Sequence, residues 1–293
     1  MTLEQLRIFV AVAEREHVTR AAQKLNLTQS ATSAAIAALE ARYNVRLFDR
    51  IGRGIVLTHA GRSFLTEARA VLARVATAEQ SLHDLAGLRR GFIHAAASQT
   101  VANYWLPSRL AAFRRRYPGI DLHLTIGNTE QVAQAVGEGR ADFGFVEGRI
   151  SDPVLAVRRI GGDRLIVVVG RRHPWARQPA IAAKMLTTTG WVLREPGSGT
   201  RSMFESALRR FGLKLSDLTV EMELPSNEAI RAAVEAGTGA TALSRLVAAP
   251  SLAAKTLHHV GIELPERPFY LLRHRQKHMS RADTAFVDAL QQD

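Results

Sequence analysis

The sequence predicts a mainly α-helical winged helix-turn-helix at the N-terminus, one long linker helix, and an α/β domain of two lobes. Three observations lead to this prediction. Short amphipathic helices precede a basic hairpin, a heptad pattern follows, and strand patterns then alternate with helix patterns to the end of the chain. We expect the domains to span residues 1–60, 61–88 and 89–293.

The composition suits a folded protein with a polyanionic partner. Hydrophobic residues fill 46% of the 293 positions, and the net charge is +12. This basic balance is typical of a protein whose partner is nucleic acid or an anionic membrane, and the equal alternative is a soluble protein that is basic without such a partner. The absence of cysteine excludes disulfides and thiolate metal sites. With no signal-peptide pattern and no apolar run of bilayer length, we expect a cytoplasmic protein that does not use a membrane.

Three short helices are predicted at the N-terminus. Apolar residues recur at helical spacing from Leu3 to Ala13. Thr19 is a candidate N-cap for a second helix that ends at Leu25, and Thr28 is a candidate N-cap for a third. The third helix has an expected buried face of Thr32, Ile36, Leu39 and Tyr43. Its opposite face is small and polar, with Gln29, Ser30, Ser33, Ala34 and Ala37, and suits close entry into a groove.

A basic hairpin is predicted after these helices. The segment VRLFDRIGRGIVLTHAG is typical of two short strands around a turn at Gly52-Arg53-Gly54. Three helices and such a hairpin make a winged helix-turn-helix.

The next segment predicts a long helix with an a/d heptad seam, which favours pairing of two helices. An alternative is that this helix packs on its own domain. The seam consists of Phe64, Ala68, Val71, Val75, Ala78, Leu82 and Leu85.

From residue 91 onward, alternating strands and helices predict parallel sheets covered on both faces. Two such sets indicate two lobes, the first at about 91–162 and 268–293 and the second at about 163–267. In open α/β sheets, ligands bind at the carboxyl ends of the strands.

With these features in view, the chain resembles the LysR-type transcriptional regulators. The motif RAAQKLNLTQSATSAAIAALEARYNVRLFDRIGRGIVLTHAG carries the resemblance, which extends over essentially the whole chain. The resemblance implies an effector domain like the type 2 periplasmic binding proteins and a dimer of dimers on double-stranded promoter DNA. It also admits RNA polymerase as a partner. The loops look most like the branch that controls CO2 fixation and sulfur assimilation.

Carried over by position, the resemblance implies a DNA-binding role for a small set of residues. Ala34 and Ala35 stand where the family often has larger polar residues. We therefore expect the wing and the recognition of DNA shape to contribute more of the sequence specificity. Thr32 stands where an aliphatic residue is usual. An alternative role for Gln29 is helix capping. The implied DNA-binding residues are Thr28, Gln29, Ser30, Ser33, Arg50 and Arg53.

Two loops are implied to bind a small anionic effector such as sulfite, sulfate or a phosphorylated metabolite. The glycines of REPGSGTR allow close backbone approach, and a helix N-terminus offers free N–H groups to an anion. An ordinary turn with a capped helix is the alternative. The expected effector-binding residues are Ser98, Gln99, Thr100, Glu147, Gly197, Ser198, Gly199, Thr200 and Arg201.

No catalytic residue, cofactor or metal is predicted. PGSGTR lacks the P-loop lysine and does not match G-x-S-x-G, and His274 and His278 lack acidic or cysteine partners in sequence. We therefore expect a ligand-responsive DNA-binding regulator and no enzyme. The alternative is a solute-binding or enzymatic α/β protein with an appended basic module.

Overall fold

A computed structural model describes residues 1–51, 54–85, 91–148 and 150–290 of the chain. The chain forms two compact units, Met1–Leu88 with Glu138–Arg140 and Arg89–Gly137 with Ala141–Asp293. Within the described residues, no helix is long and apolar enough to cross a membrane. The finer division of the chain at residue 60 and between the two lobes stays a prediction.

The N-terminal unit is a trihelical bundle with a hairpin and a long helix, as the sequence predicts. Its elements are α1 (Leu3–Ala13), α2 (Val18–Lys24), α3 (Gln29–Tyr43), β1 (Phe48–Ile51), β2 (Gly54–Leu57) and α4 (His59–Leu85). The two strands are antiparallel, with Phe48 opposite Leu57. Leu6, Phe9, Ile36 and Leu39 are among the buried residues of its core.

Local hydrogen bonds set the helix starts. Thr2 and Gln5 form a capping box at the start of α1. Thr28 caps α3 as predicted, since its hydroxyl accepts from the Ala31 N–H at 3.2 Å. The expected cap at Thr19 is wrong, because α2 begins at Val18 and its N-cap is His17, whose imidazole accepts from the Arg20 N–H. Tyr43, expected in the core, is 52% exposed at the end of α3.

The C-terminal unit alternates strands and helices. Its strands are β3 (Gly91–Ser98), β4 (Ile120–Gly127), β5 (Phe143–Glu147), β6 (Leu155–Gly170), β7 (Gly190–Arg194), β8 (Thr219–Leu224), β9 (Ala240–Ser244), β10 (Leu257–Val260) and β11 (Glu266–His274). Its α-helices are α5 (Leu106–Arg116), α6 (Thr129–Gly137), α7 (Gly199–Arg210), α8 (Asn227–Glu235), α9 (Arg245–Ala253) and α10 (Arg281–Ala289). A π-helix spans Val101–Trp105, and short 3-10 helices span Pro174–Arg177, Ala183–Thr188 and Leu215–Asp217.

One mixed sheet connects these strands in the order β4-β3-β5-β11-β6-β9-β7-β8, with β10 paired to β6. The expected parallel pairing is therefore found in part of the sheet, and the pairs that involve β6, β10 and β11 depart from it. β3, β4 and β5 are parallel, and so are β7, β8 and β9. β6 and β11 are antiparallel to each other and to their other neighbours, because they return the chain across the sheet.

The long strand β6 joins two halves of this sheet. It pairs with β11 from Leu155 to Arg164 and with β9 from Leu165 to Val169. Separate hydrophobic cores lie on either side, one around Phe143 and Phe286 and another around Trp191 and Phe204. The strand over residues 155–163, the helix α9 and the strand β10 were not predicted from the sequence, and the Pro250 inside α9 masks its helical pattern.

Candidate DNA interface and effector site

The N-terminal turn of α3 carries an exposed cluster of small polar side chains. Gln29 and Ser30 are exposed and Ser33 is half-buried. The Gln29 amide donates to the Ser33 hydroxyl at 3.2 Å, and the hydroxyls of Thr28 and Ser30 lie 3.1 Å apart. Because these side chains bond mainly to one another, their remaining donors and acceptors face solvent on one side of the helix. Such a face can present hydrogen-bonding groups to base edges in a major groove.

Thr32, on the opposite face of α3, stands where an aliphatic residue is expected. Thr32 is fully buried, and its hydroxyl donates to the Thr28 carbonyl at 3.0 Å. A buried hydroxyl satisfied within its own helix costs little in the core. Thr32 therefore packs as the aliphatic residue it replaces would pack.

The hairpin is tied to α3 and α4 by side chains that the sequence did not single out. The Glu40 carboxylate accepts from the N–H groups of Leu47 at 2.7 Å and Phe48 at 3.1 Å. At Gly61 in α4, an added Cβ would lie 2.1 Å from the Leu47 carbonyl oxygen, so only glycine allows this approach. These contacts fix the base of the wing. Arg50 is exposed on β1 opposite Ile55, and Arg53 lies outside the described residues.

The predicted seam of α4 divides into two parts. Phe64 and Ala68 pack inside the N-terminal unit, with the Phe64 ring 4.8 Å from Phe9 and Ala68 only 1% exposed. These two residues therefore pack on their own unit, as in the alternative, and pairing through the seam stays a prediction. Val71 is 42% exposed, Val75 half-buried and Ala78 exposed, so the open part of the seam begins at Val71. The side chains of Leu82 and Leu85 lie outside the described part of the chain.

A buried polar cluster lies where β5, β6, α7 and β11 converge in the C-terminal unit. We call it the effector cluster and define it as Ser98, Glu147, Asp163, Thr200 and Arg267. The Glu147 carboxylate accepts from the hydroxyls of Ser98 and, at 3.4 Å, Thr200. Both hydroxyls and the carboxylate are 2% exposed. The structure thus brings together residues of the two predicted loops around one carboxylate.

Arg267 supplies the positive charge of this cluster, and the sequence analysis did not predict it as a site residue. Its side chain is fully buried, and it donates to both Asp163 oxygens, at 2.6 and 3.1 Å. A third bond of 2.9 Å reaches the Thr200 hydroxyl, and Glu147 lies 3.7 Å away. An arginine at the start of the apolar strand RPFYLLRH was the available signal. Two carboxylates face one guanidinium here, so the cluster carries a formal charge of −1.

The loop before α7 reaches this cluster through close backbone approach. An added Cβ at Gly199 would lie 2.3 Å from the Glu147 carbonyl oxygen, and Gly197 has a φ of +84°. Glycine is required at both positions. Ser198 is 2% exposed, and its hydroxyl has no hydrogen-bond partner among the described residues. A buried hydroxyl without a partner at the start of a twelve-residue helix suits a ligand oxygen.

A second polar link joins the loop after β3 to α8. The Gln99 side chain accepts from the Asn227 N–H at 2.7 Å, and the Asn227 amide donates to the Thr100 hydroxyl at 3.1 Å. Arg194 donates to Asn227 at 2.8 Å and to both oxygens of Glu195. Burial acts to raise the pKa of Glu195, but its bonds to Arg194 hold that pKa below its ordinary value. Thr100 and Gln99 therefore bind Asn227, separate from the Glu147 carboxylate.

Arg201 does not reach the effector cluster. Its guanidinium donates to Glu205 at 3.0 Å, to the Arg194 carbonyl at 3.0 Å and to Glu223. The helix turns this side chain toward β8, and the effector contact expected of Arg201 stays a prediction. Arg194 is likewise bound to Glu195. The positive charge beside the Thr200 hydroxyl comes from Arg267, which donates to it.

The chain combines a helix-turn-helix unit with an α/β unit that holds a buried polar cluster. Residues 3–62 match the family of bacterial regulatory helix-turn-helix proteins of the lysR type, and residues 86–293 match the LysR substrate binding domain. The chain therefore belongs to the LysR family of transcriptional regulators. Its members are regulators, which sets aside the alternative of an enzyme or a solute carrier.

Relatives and solved structures place the chain within this family. It is 38% identical to the uncharacterised regulator YeiE of Escherichia coli K12, over 98% of this chain and 96% of the relative. It is 33% identical to the RuBisCO operon transcriptional regulator of Allochromatium vinosum, over 98% and 94%. The second likeness agrees with the predicted CO2-fixation branch.

Two solved structures share the fold. Full-length CbnR in complex with its target DNA has a TM-score of 0.70 and 22% identity, over 99% of each chain. The regulatory domain of CcmR from Synechocystis PCC6803, in complex with 2-PG, has a TM-score of 0.63 and 28% identity. It covers 69% of this chain and 96% of that one. The chain is a ligand-responsive DNA-binding regulator of the LysR type.

Proposed function

We propose that the effector is a small anion, such as sulfite, sulfate or a phosphorylated metabolite, bound at the start of α7. The unpartnered Ser198 hydroxyl carries this proposal. It is buried beside the first free N–H groups of α7, whose dipole favours negative charge. The solved CcmR domain, which holds 2-PG, supports a small ligand in a domain of this fold.

The charges of the effector cluster limit where an anion sits. Glu147 repels an anion, but Arg267 lies 3.7 Å from it and offsets part of its charge. Ser198 lies on the α7 side of the cluster, and its hydroxyl is not engaged by Glu147 or by any other described side chain. An anion on Ser198 and the α7 N–H groups would thus be held by the donors that the carboxylates leave free.

The proposed ligand acts by favouring one arrangement of the two lobes. Ser98 and Glu147 belong to the first predicted lobe, and Ser198 and Thr200 belong to the second. A ligand that contacts both lobes shifts their equilibrium by its differential affinity. In a dimer of dimers, that shift would change the angle between the two DNA-binding pairs and hence the bend in the promoter.

The proposed DNA contacts come from the start of α3 and from the wing. Gln29 would read a base edge in the major groove, with Thr28, Ser30 and Ser33 beside it. Arg50 and Arg53 would contact phosphates or a minor groove. We expect RNA polymerase as a further partner, in the cytoplasm where the promoter lies.

Thermal denaturation of the full-length protein tests the effector site. Sulfite, sulfate, phosphate and 2-PG are added separately to the parent, to Ser198→Ala and to Ser206→Ala. Ser206 is an exposed serine on the same helix and serves as the matched control. Because the Ser198 hydroxyl has no partner to lose, Ser198→Ala should melt at the parental temperature without ligand.

We expect at least one anion to raise the melting temperature of the parent and of the control. Ser198→Ala should bind that anion about tenfold more weakly, since a hydrogen bond to a charged group is lost. If no anion stabilises the parent, or if Ser198→Ala responds as the control does, the proposed site is wrong.

A further inference from the structure

A cavity lies away from the effector cluster and shares no residue with it. Its volume is about 240 Å³, and it opens between the β6–β11 pair and α10. Phe143, Leu271 and Val287 form its buried apolar lining, and Met279 is partly buried beside them. An apolar cavity of roughly 150 Å³ holds a benzene molecule, so the volume of this cavity is sufficient for a small organic ligand.

Two arginines accompany this apolar lining. Arg158 lies opposite Leu271 in the β6–β11 ladder, and Arg273 lies opposite Ala156. Because side chains alternate along a strand, these four residues share one face of the sheet. Both guanidinium groups therefore belong to the wall that faces α10, and the structure places both among the cavity residues.

Neither guanidinium is paired with a carboxylate in the described part of the chain. Arg273 donates to the carbonyls of His274 and Lys277, which leaves its charge uncompensated. Arg158 is exposed and has no hydrogen-bond or ion-pair partner among the described residues. By contrast, the adjacent Arg159 points to the other face and lies 3.6 Å from Glu266. The cavity thus combines an apolar interior with two free positive charges.

We propose that this cavity is a second ligand site, which takes a small monocarboxylate with an apolar body. The hydrocarbon part fills the space between the sheet and α10, and the carboxylate pairs with Arg158 and Arg273. An arginine fork matches a carboxylate in geometry as well as in charge. A fully hydrophilic anion such as sulfate would leave the apolar lining unfilled and is not the expected ligand.

Titration of the full-length protein with benzoate and octanoate, followed by ligand-observed NMR, tests the site. Benzyl alcohol and octanol are the uncharged counterparts. Arg158→Gln removes one charge from an exposed position and should fold normally, with Arg159→Gln as the matched control on the opposite face. Ala156→Leu narrows the cavity without altering charge.

At least one carboxylate should bind the parent and Arg159→Gln equally, and bind Arg158→Gln about tenfold more weakly. Ala156→Leu should weaken the same ligand, and the alcohols should bind poorly to every protein. Ser198→Ala should bind the carboxylate as the parent does, which separates this site from the effector cluster. Equal binding of acids and alcohols, equal binding to both arginine variants, or no binding at all would overturn the proposal.

Discussion

The Arg267 guanidinium donates a 2.9 Å hydrogen bond to the Thr200 hydroxyl, which joins β11 to the first turn of α7. The two residues are 67 positions apart and both are buried. Arg267 also binds Asp163 on β6, and Thr200 also binds Glu147 on β5. A change at the start of α7 would therefore alter hydrogen bonds that involve three strands of the sheet, β5, β6 and β11.

The first prediction concerns this bond. Thr200→Val should lower the free energy of unfolding by about 1–3 kcal/mol, because a buried donor of Arg267 loses its acceptor. Thr200→Ser keeps the hydroxyl and should retain most of the stability. Urea unfolding followed by tryptophan fluorescence measures this unit alone, since Trp105, Trp175 and Trp191 all lie in it. No loss in Thr200→Val together with a loss in Thr200→Ser would show that the methyl group, and not the hydroxyl, stabilises the site.

The second prediction separates base recognition from phosphate contact. Gln29→Ala should change the preferred base at one position of each half-site, because a bidentate amide–adenine pair contributes about 1–3 kcal/mol of discrimination. Selection of binding sites from a random DNA pool measures this preference. Gln23→Ala, at an exposed position of α2, is the control and should select the parental sequence.

The third prediction concerns the wing. Arg50→Ala should weaken binding to all DNA sequences alike and reduce the slope of log affinity against log salt by about 0.9, the value for one phosphate contact. Fluorescence anisotropy at several salt concentrations gives both quantities. An unchanged slope would remove Arg50 from the DNA contacts.

The fourth prediction tests the open part of the α4 seam. Val75→Glu should weaken both self-association and DNA binding, because it places charge between paired helices. Ala76→Glu, one position away and exposed, should have little effect. Sedimentation velocity at micromolar concentration measures the assembly. A parent that sediments only as a monomer would contradict the dimer of dimers itself.

The fifth prediction is a pH dependence that arises at His94. Burial lowers the pKa of His94 below its ordinary value of 6.5, His123 lowers it further, and Asp142 opposes them. The rings of His94 and His123 lie 4.5 Å apart. A lowered pKa in the folded state means that the unfolded chain binds the proton first. Its contribution to stability is therefore present above pH 6.5 and is lost as the pH falls through the lowered pKa.

Replacement of His94 with phenylalanine removes this titration and keeps a ring of similar size. The difference in melting temperature between His94→Phe and the parent should grow in favour of the variant as the pH falls below 6.5. His278→Gln, at an exposed position, is the control variant for the loss of a histidine. A constant difference between His94→Phe and the parent would show that His94 does not titrate in this range.

The local signals of the sequence were sufficient for most elements. The cap at Thr28, the hairpin and the alternation of strands and helices all depend on residues close together in the chain. The effector cluster was only half predicted, because Arg267 meets Asp163 across 104 positions and only the folded sheet brings them together. The direction of the Arg201 side chain could not be predicted either. It donates to Glu223 on β8, and β8 reaches this place only by pairing with β7.

The shared strand β6 has a mechanical consequence. β6 pairs first with β11 and then with β9. The two halves of the sheet are therefore connected by a continuous hydrogen-bonded strand and not by a flexible loop. Where β6 faces the step between Phe269 and Tyr270, the pairing skips Ile160 and passes to Gly161 and Gly162, which have no side chains to resist torsion. Any opening of the two halves would therefore be concentrated as a twist of β6 at this point, so that the halves would rotate about the glycines while the strand pairs on either side stay intact.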